Sequence, residues 1–500
     1  MIKNKRWGAT VVLLFGVSLA YCQDFSDVLR YSQMFPQTDA RSMAIGNAIG
    51  AVGADFSCLN INPAGIGLYR SNEFEFTLNL NQDGTNTNYL NTPENGTSMY
   101  NFNIGSMSLV FGKVRHDPRT GKPVKKGWVS LNYALGFSRT NNFTSDVYLQ
   151  GINTHNSILQ SWAQQANANG VGNPTTSQAL ASQAGLIGNA SGSYTAASDS
   201  ERKNLQQTDD QTTHGAMNQI NFGVGANYSN QWYIGGSVLV SILNYHYYRD
   251  FTEYNLNQNP VAYVSSEYTD SFSTSGIGVS ANFGVIYRPN DLLRFGLSAQ
   301  LPTFYTMNDN YSSTVTGTTV SGGELGSTPY SGSESYQIIT PWRATASAAV
   351  FFEKNGLISL DCDFVDYTSS QITFSNDPGY SRLQNAQIAA NLTQAVNARV
   401  GTEWRAGPMY FRGGFGYYGS PYQADAVPAN ANGSYDVYSL GLGYRDNKYA
   451  MDLTYQYMQT AYYYQPYTLD PTLPPSASGA SGTNVKDVRN SFIFTFTERF

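Results

Sequence analysis

The sequence predicts an all-β fold: a 14-stranded antiparallel transmembrane β-barrel with an N-terminal plug, or hatch, inside its lumen. Three observations predict it: an N-terminal export signal, connections that alternate between short and long, and a closing strand FIFTFTERF at 492–500. In that strand Phe492, Phe494 and Phe496 recur at every second position, which marks one apolar face. A strand that ends the chain needs a partner for its free edge, and a closed barrel provides one.

The first element is a predicted secretory signal peptide over residues 1–22. Basic residues near the start precede an apolar run at 11–20, and this run is too short to span a bilayer. Cleavage after Cys22 is expected, which leaves Gln23 as the mature N-terminus. The alternative is a lipoprotein in which Cys22 is acylated, but the bulky Tyr21 immediately before the cysteine disfavours it.

The composition fits strands that are half apolar and half polar. Aromatic residues make up 14% of the chain while charged residues make up only 13%, and no later segment approaches 18 consecutive apolar residues. A barrel with lipid outside and a polar lumen produces this mixture. An exported β-sandwich or propeller is the alternative fold. The net charge of −6 does not suggest nucleic-acid binding, and no nucleic-acid partner is expected.

Fourteen segments alternate with period two between turn residues and are predicted to be strands. In the third of them, Val129, Leu131 and Tyr133 alternate with polar residues. The predicted strands are 72–81, 99–112, 127–139, 218–228, 231–250, 263–288, 291–305, 337–353, 356–369, 393–406, 408–419, 435–445, 448–462 and 488–500.

The connections predict the topology of a barrel domain spanning 72–500. Short turns alternate with long stretches, of which 140–217 is the largest, and only the medium-length connection 113–126 departs from the pattern. Outer-membrane barrels have short periplasmic turns and long extracellular loops, whereas a sandwich has no reason to segregate loop length in this way. An even strand number places the last residue, Phe500, on the periplasmic side.

Two stretches of the 140–217 connection are predicted to be helical. Ile158, Leu159 and Trp162 share one face of the first, and Leu180 and Ile187 share one face of the second. Two interpretations stay open at this point. The small helices cap the barrel mouth, or their apolar faces form a surface groove for an apolar ligand.

Residues 23–71 precede the first strand and do not alternate. The segment is rich in Gly and Ala, carries apolar residues such as Met43, Ile45 and Ile49, and has little charge, so it should not stay solvated. It either hangs in the periplasm or folds into the lumen. A small internal domain, with glycines that pack closely against the wall, fits the composition better.

Three runs in this segment, RSMAIG at 41–46, ADFS at 54–57 and NPAG at 62–65, resemble the N-terminal hatch of FadL/TodX-type (OMPP1) outer-membrane transporters in the form found in Bacteroidetes. The rest of the chain resembles that family through architecture only. The alternative interpretation of the NPAG run is an ordinary tight turn, and the expected role of the run in either case is structural. The most specific residues of the resemblance are Asp55, Asn62, Pro63, Ala64 and Gly65.

The resemblance implies a multi-pass protein of the Gram-negative outer membrane that takes up hydrophobic small molecules, such as long-chain fatty acids or aromatic hydrocarbons. It implies capture near the extracellular loops, transfer to an apolar interior, movement of the hatch and a lateral opening at a kinked strand. The third predicted strand would carry the kink, with Gly136 as the candidate position. Phe500 would serve as the aromatic signal that barrel assembly machinery reads.

Little in the sequence points to catalysis. The four histidines are scattered and there is no G-x-S-x-G element, so no enzyme activity, metal site or cofactor is expected. Barrel enzymes remain a minor alternative. Asp361 and Asp363 are expected to point into the lumen. An arginine there, such as Arg343 or Arg399, could bind a fatty-acid carboxylate or, more commonly, pair with an acidic side chain.

The expected partners are a hydrophobic ligand, outer-membrane lipid and lipopolysaccharide, and the barrel assembly machinery. The main alternative function is that of a FadL-superfamily barrel acting as a scaffold or carrier in protein secretion, like PorV. Neither the hatch runs nor the strand count separates these two functions. A general porin is disfavoured by the plug-like N-terminal segment.

Overall fold

The computed structural model describes residues 25–200, 204–260, 262–321, 323–470 and 481–500. The predicted signal peptide lies outside the described residues. The strands are β1 Glu73–Thr87, β2 Asn95–Val114, β3 Trp128–Asn142, β4 Ser145–Asn153, β5 Ile187–Ala190, β6 Ser193–Ala196, β7 Leu205–Tyr228, β8 Trp232–Asn255, β9 Tyr263–Tyr287, β10 Leu293–Gln300, β11 Phe304–Thr319, β12 Gly323–Gly326, β13 Tyr330–Ile339, β14 Arg343–Phe352, β15 Gly356–Asp366, β16 Gln371–Thr373, β17 Gln394–Ala406, β18 Met409–Tyr418, β19 Asn432–Arg445, β20 Tyr449–Tyr464 and β21 Thr483–Arg499.

The helices fall into two groups, one before the first strand and one in the long connections. No helix among the described residues combines the length and the apolar character needed to cross a membrane. The helices are α1 Phe25–Ser32, α2 Ala40–Ala44, α3 Cys58–Ile61, α4 Ile158–Asn169, α5 Ser177–Gln183 and α6 Pro378–Asn391, and a 3-10 helix spans Pro63–Leu68.

The strands close into an antiparallel barrel of 14 wall strands, as predicted. Four wall strands consist of two consecutive segments each: β3 with β4, β10 with β11, β13 with β14, and β15 with β16. The barrel closes where the last strand pairs with the first, and there Phe76 lies opposite Phe496 and Leu80 opposite Phe492. The free edge of the closing strand is therefore satisfied within the chain.

The wall has an apolar outer face and a mixed inner face. On β19, Tyr438, Leu440 and Leu442 are more than half exposed, whereas Ser439 between them is buried. The same alternation recurs along the other strands, so the exposed apolar side chains together form a belt around the barrel. A continuous apolar belt of this size is the surface that a membrane barrel presents to lipid.

Several strands are longer than the alternation indicated. β7 has 24 residues where 218–228 was predicted, and β8 has 24 where 231–250 was predicted, compared with the roughly 9–11 needed to cross a bilayer. The 25 residues of β9 agree with the predicted 263–288. The predicted 140–217 loop is therefore wrong in extent, because β4 and the outer half of β7 lie within it. Above the membrane the outer face of a strand contacts water, so the apolar outer face that marks a membrane-crossing strand is absent there.

Candidate functional site: the lumen, its hatch and the break in the wall

The hatch, residues 25–68, is bound to the inner wall of the barrel on several sides. Wall side chains donate hydrogen bonds to its backbone carbonyls, and four of these bonds stand on different sides of the lumen: Asn132 to Ile66 at 2.8 Å, Ser237 to Leu59 at 2.8 Å, Ser298 to Ile61 at 2.6 Å, and Thr454 to Ala40 at 2.6 Å. These four donors stand on β3, β8, β10 and β20. The hatch therefore fills the lumen as a plug rather than hanging below the barrel.

The NPAG run begins the 3-10 helix of the hatch. Oδ1 of Asn62 accepts from the Ala64 backbone N–H at 3.2 Å, and Pro63 occupies the first turn, where no backbone donor is needed. Nδ2 of Asn62 donates to the Gly50 carbonyl at 2.8 Å and to the Val285 carbonyl of the wall at 3.3 Å. Asn62 therefore joins two parts of the hatch to the barrel, which is a structural role.

Glycines of the wall allow this close approach. A Cβ atom at Gly235 would lie 2.3 Å from the Pro63 carbonyl oxygen, and one at Gly284 would lie 2.0 Å from Oδ1 of Asn62. Within the hatch, a Cβ atom at Gly65 would lie 2.6 Å from the sulfur of Cys58. Glycine is the residue that lets two backbones pack at such distances.

A buried charge cluster connects the hatch to the wall on the opposite side. The Arg41 guanidinium lies 3.0 Å from the Glu403 carboxylate of β17 and 3.6 Å from the Asp55 carboxylate of the hatch. Glu403 also binds Arg412 of β18 at 2.6 Å, so one wall carboxylate receives two arginines. Because all of these groups are desolvated, leaving any of them unpaired would be costly.

Asp55 stands next to a second buried carboxyl, Asp39. Burial and the nearby Asp39 charge raise the pKa of Asp55 well above its ordinary value. Burial opposes ionisation of Asp39 as well, but hydrogen bonds from Asp55, Ser42 and Ser57 outweigh it and lower the pKa of Asp39. Of the two carboxyls, Asp39 is therefore the one that ionises first, and Asp55 is the one that keeps its proton to higher pH. Asp39 caps the N-terminus of α2, where a negative charge is favoured.

The upper lumen is apolar and is occupied by the start of the hatch. Val28, Leu29 and Tyr31 of α1 pack in one cluster with Tyr380 and Ile388 of α6, which folds inward from a long connection. The N-terminal end of α1 is also bound to α6 by a hydrogen bond from its first backbone N–H to Gln384 at 3.0 Å. The wall residues of this cluster include Phe143, Met217, Tyr245, Tyr305, Met307 and Tyr336.

The wall is interrupted beside this cluster. β2 pairs with β3 only as far as Ser106 and Ser138, although β2 continues outward to Asn95. Beyond Ser138 the chain stays paired with β7, shifts register and continues as β4. β4 turns inward, and a hydrogen bond shows this: Thr85 on the inner face of β1 donates to the Asp146 carbonyl at 2.5 Å. Among the residues that the structure describes, the outer half of β2 is therefore left with one unpaired edge.

Gly136 is not at this interruption, so its prediction as the kink is wrong. Gly136 is paired on both sides, with Ser108 of β2 and Asn221 of β7. Its missing side chain has another consequence, because a Cβ atom there would lie 2.5 Å from the ring of Phe56 in the hatch. The interruption begins after Ser138 and contains no glycine in 139–144, so the residue type used to locate it was misleading.

The edge of β3 that β2 leaves free is taken up by the hatch. The Phe35 backbone N–H donates to the Thr140 carbonyl at 2.9 Å, and the Gln37 N–H donates to the Arg139 carbonyl at 3.0 Å. The carbonyl of Gln37 in turn accepts from the Asn79 side chain of β1 at 3.0 Å. The extended segment of the hatch therefore stands where the next wall strand would otherwise be.

The five residues predicted to form a ligand groove come together, but as a closed core. Ile158, Leu159, Trp162, Leu180 and Ile187 belong to one cluster, and none is more than 3% exposed. The cluster packs α4 and α5 onto the outer ends of the long wall strands. Of the two interpretations, the described structure has the helices as a cap on the barrel mouth, with no open apolar face at these residues.

Below the apolar cluster lies a small lumenal cavity whose lining includes Arg343 and Arg399. Arg399 makes two hydrogen bonds to Asp363, at 2.6 and 2.8 Å. Its charge is therefore neutralised by an acidic side chain, which is the more common of the two roles expected for a lumenal arginine. Arg343 donates to the Ser32 carbonyl and, among the described residues, has no ion pair with a carboxylate. A guanidinium in this position can receive an anionic group.

Two parts of this site escaped the sequence prediction. Helix α1 was included in the hatch without a ligand role, and α6 was assigned to a loop. A signal for α6 was present, since Asp377 precedes Pro378 and its side chain caps the Tyr380 N–H at 2.8 Å.

Phe500 ends the chain beside the first strand, where its backbone N–H donates to the Asn72 carbonyl at 3.2 Å.

Comparison with known proteins identifies solved structures of similar architecture. No protein-family model matches the chain, and no curated protein matches it. Among solved structures, a FadL homologue of Pseudomonas aeruginosa superposes with a TM-score of 0.55 at 11% identity, over 93% of this chain and 99% of that one. The toluene transporter TodX of P. putida gives 0.53 at 12% identity, over 92% and 98%. The chain has the fold of these FadL- and TodX-type proteins, a 14-stranded barrel plugged by an N-terminal hatch.

Proposed function

We propose that this protein is an outer-membrane channel for the uptake of hydrophobic small molecules. The observation that carries the proposal is the apolar cluster around α1, which lies inside the lumen beside the break between β2 and β3. A water-filled porin has no use for an apolar interior, whereas a path for poorly soluble molecules requires one. The likeness in fold to a FadL homologue and to a toluene transporter supports the same proposal.

The proposed path uses the elements in sequence. A ligand enters the apolar upper lumen, displaces α1 from the cluster that it shares with α6, and leaves through the wall where the outer edge of β2 is unpaired. The hatch segment Phe35–Gln37 pairs with the facing edge of β3 at Thr140 and Arg139, so this path requires the segment to move aside. No covalent step is needed, and we propose no catalytic role for the chain.

Two ligand classes follow from the residues around the path. Neutral aromatic hydrocarbons match the Tyr- and Phe-rich cluster, and the TodX structures are those of a toluene transporter and hydrocarbon channel. Fatty acids carry a carboxylate in addition, and Arg343 is the lumenal arginine placed to receive it. Loss of oleate uptake with retained toluene uptake in Arg343→Met is expected if fatty acids are the cargo.

The decisive experiment measures uptake while the hatch segment is tethered. The side-chain amide of Asn141 donates to the Gln33 carbonyl at 3.4 Å, so these neighbouring positions are chosen for a Gln33→Cys, Asn141→Cys pair, whose closure by oxidation is verified by thiol titration. Oxidised cells should lose uptake of radiolabelled oleate or toluene, and reduction should restore it. The lipid-facing Cys362 is replaced by Ser in all strains, and the buried Cys58 is kept. The controls are the two variants that carry only one of the introduced cysteines.

A deletion strain tests the alternative of a secretion scaffold. If a deletion strain takes up both compounds normally but mislocalises secreted proteins, the transport proposal is wrong.

We further propose that the terminal Phe500 is read by the barrel assembly machinery. Phe500→Ala should then lower the amount of folded barrel in the outer membrane without altering the uptake of each folded molecule.

A further inference from the structure

The connection between β2 and β3 is unusually basic. It carries six of the chain's 29 lysines and arginines, although the chain as a whole has a net charge of −6. We call residues 113–126 the basic hairpin. It is also the one short-side connection that is longer than a tight turn. Its cations, all exposed, are Lys113, Arg115, Arg119, Lys122, Lys125 and Lys126.

The hairpin is ordered by its own backbone. The Asp117 N–H donates to the Lys122 carbonyl at 2.9 Å, and the Gly121 N–H donates to the Asp117 carbonyl at 2.8 Å. The Asp117 carboxylate, the only acidic group in the hairpin, accepts from the Arg119 N–H at 2.8 Å. Within the described part of the chain, none of the six cations forms an ion pair. Their charge is therefore available to a partner.

The aromatic residues next to the hairpin give its level relative to the bilayer. Trp128 begins β3 directly after it and packs against Tyr228 with ring centroids 5.3 Å apart. Trp232 and Tyr287 stack beside them at 4.3 Å, and all four rings face outward at the short-turn end. Such aromatic girdles lie at the membrane–water interface, which places the cations at the level of the lipid headgroups.

We propose that the basic hairpin binds the headgroups of anionic phospholipids in the leaflet at the short-turn end of the barrel. Lys and Arg side chains can extend their stems along the apolar belt while their charged ends meet phosphate. A zwitterionic headgroup carries its own ammonium and so competes with these cations, whereas a phosphatidylglycerol headgroup does not. This interaction surface is independent of the proposed transport and does not rest on it.

The test uses purified full-length barrel in detergent micelles doped with equal amounts of phosphatidylglycerol and phosphatidylethanolamine, with retained lipids counted by native mass spectrometry. The unmodified protein should retain phosphatidylglycerol preferentially. A variant with Lys122→Gln, Lys125→Gln and Lys126→Gln should lose that preference by about tenfold. All three positions lie outside the strands, and heat-dependent gel migration verifies that the variant barrel is folded.

The matched control removes the same charge at the same end of the barrel, from two turns and from the last residues of β17: Lys354→Gln, Lys448→Gln and Arg405→Gln. This control should keep the preference. Equal retention of both lipids by the unmodified protein, or equal loss in the hairpin variant and the control, would overturn the proposal. It would also be overturned if the hairpin variant kept its lipids but lost cosedimentation with purified peptidoglycan sacculi, because the partner would then be the cell wall.

Discussion

Arg41 of the hatch and Glu403 of the barrel wall are joined by a buried ion pair, with the guanidinium Nε 3.0 Å from the carboxylate. Glu403 remains bound to Arg412 when Arg41 is absent, whereas Asp55 loses its cationic neighbour. Loss of Arg41 should therefore destabilise the hatch more than it destabilises the wall. It identifies the point at which a single substitution can loosen the plug without opening the barrel.

Arg41→Met should destabilise the hatch by about 3 kcal/mol, because breaking a buried pair leaves a desolvated charge behind. The expected readout is more frequent current steps in planar bilayers, since a loosened plug opens a water path. Arg288→Met is the control, because its partner Asp291 is almost fully exposed and such pairs contribute little. Equal conductance in both variants would contradict the role given to Arg41.

The stability of the hatch should depend on pH through Asp55 and Asp39. The raised pKa of Asp55 means that the folded hatch binds this proton more tightly than the unfolded chain does. Its contribution is present at low pH and is lost as the pH rises from the ordinary value of 3.8 through the raised one. The lowered pKa of Asp39 contributes above 3.8 and is lost as the pH falls below it.

Conductance should accordingly rise as the pH is raised above 3.8 and through the raised pKa of Asp55. Asp55→Asn should remove this part of the pH dependence, because the amide mimics the protonated carboxyl at every pH. A variant that retains the full pH profile would show that another group is responsible. Ser57→Ala should shift the profile, since it removes a hydrogen bond that favours ionised Asp39.

Two adjacent glycines of β8 provide a matched pair for testing the fit between hatch and wall. Gly235→Ala would place a methyl group 2.3 Å from the Pro63 carbonyl oxygen, so the hatch must shift. At Gly236 the nearest neighbour of a Cβ atom is 3.4 Å away, an ordinary contact. Limited proteolysis should therefore cleave the hatch of the first variant much faster. Equal cleavage rates would mean that the hatch is not held at this contact.

Tyr31 should control the occupancy of the upper lumen. Its ring packs edge-on against Phe143 at 6.1 Å and against Tyr245 at the same distance. Tyr31→Ala should weaken the docking of α1 by about 3 kcal/mol and so raise the affinity for an apolar ligand that competes with the helix. Isothermal titration of the detergent-solubilised barrel with oleate or toluene measures this, and unchanged or weaker binding would contradict it.

The cap over the barrel mouth depends on Glu253. Its carboxylate accepts from Ser157 and from the Ile158 N–H at 3.3 Å, so it anchors the N-terminal end of α4. Glu253→Ala should free that end and expose the apolar core beneath it. Hydrogen exchange across α4 should then increase, while exchange in α2 of the hatch stays unchanged. Increased exchange in both helices would indicate a global effect rather than a local anchor.

Strand number, closure and the plug were accessible from the sequence because each depends on local patterns. The alternation around Leu440 needs only a bilayer outside and a polar lumen inside, and the pairing of Phe76 with Phe496 follows from closure. The outer half of β7, residues 205–217, was missed, because above the membrane no apolar outer face is required. Helix α6 was missed because its apolar face is short and interrupted by polar residues.

Which residues share a site was decided only by the tertiary structure. The apolar alternation in the chain specifies a barrel, since burying every second side chain against lipid is a local requirement that each strand satisfies alone. The break after Ser138, the pairing of Phe35 with Thr140 and the meeting of α1 with α6 join residues far apart in sequence. Such contacts depend on how the hatch competes with β2 for one strand edge, and that competition leaves no periodic trace in either segment.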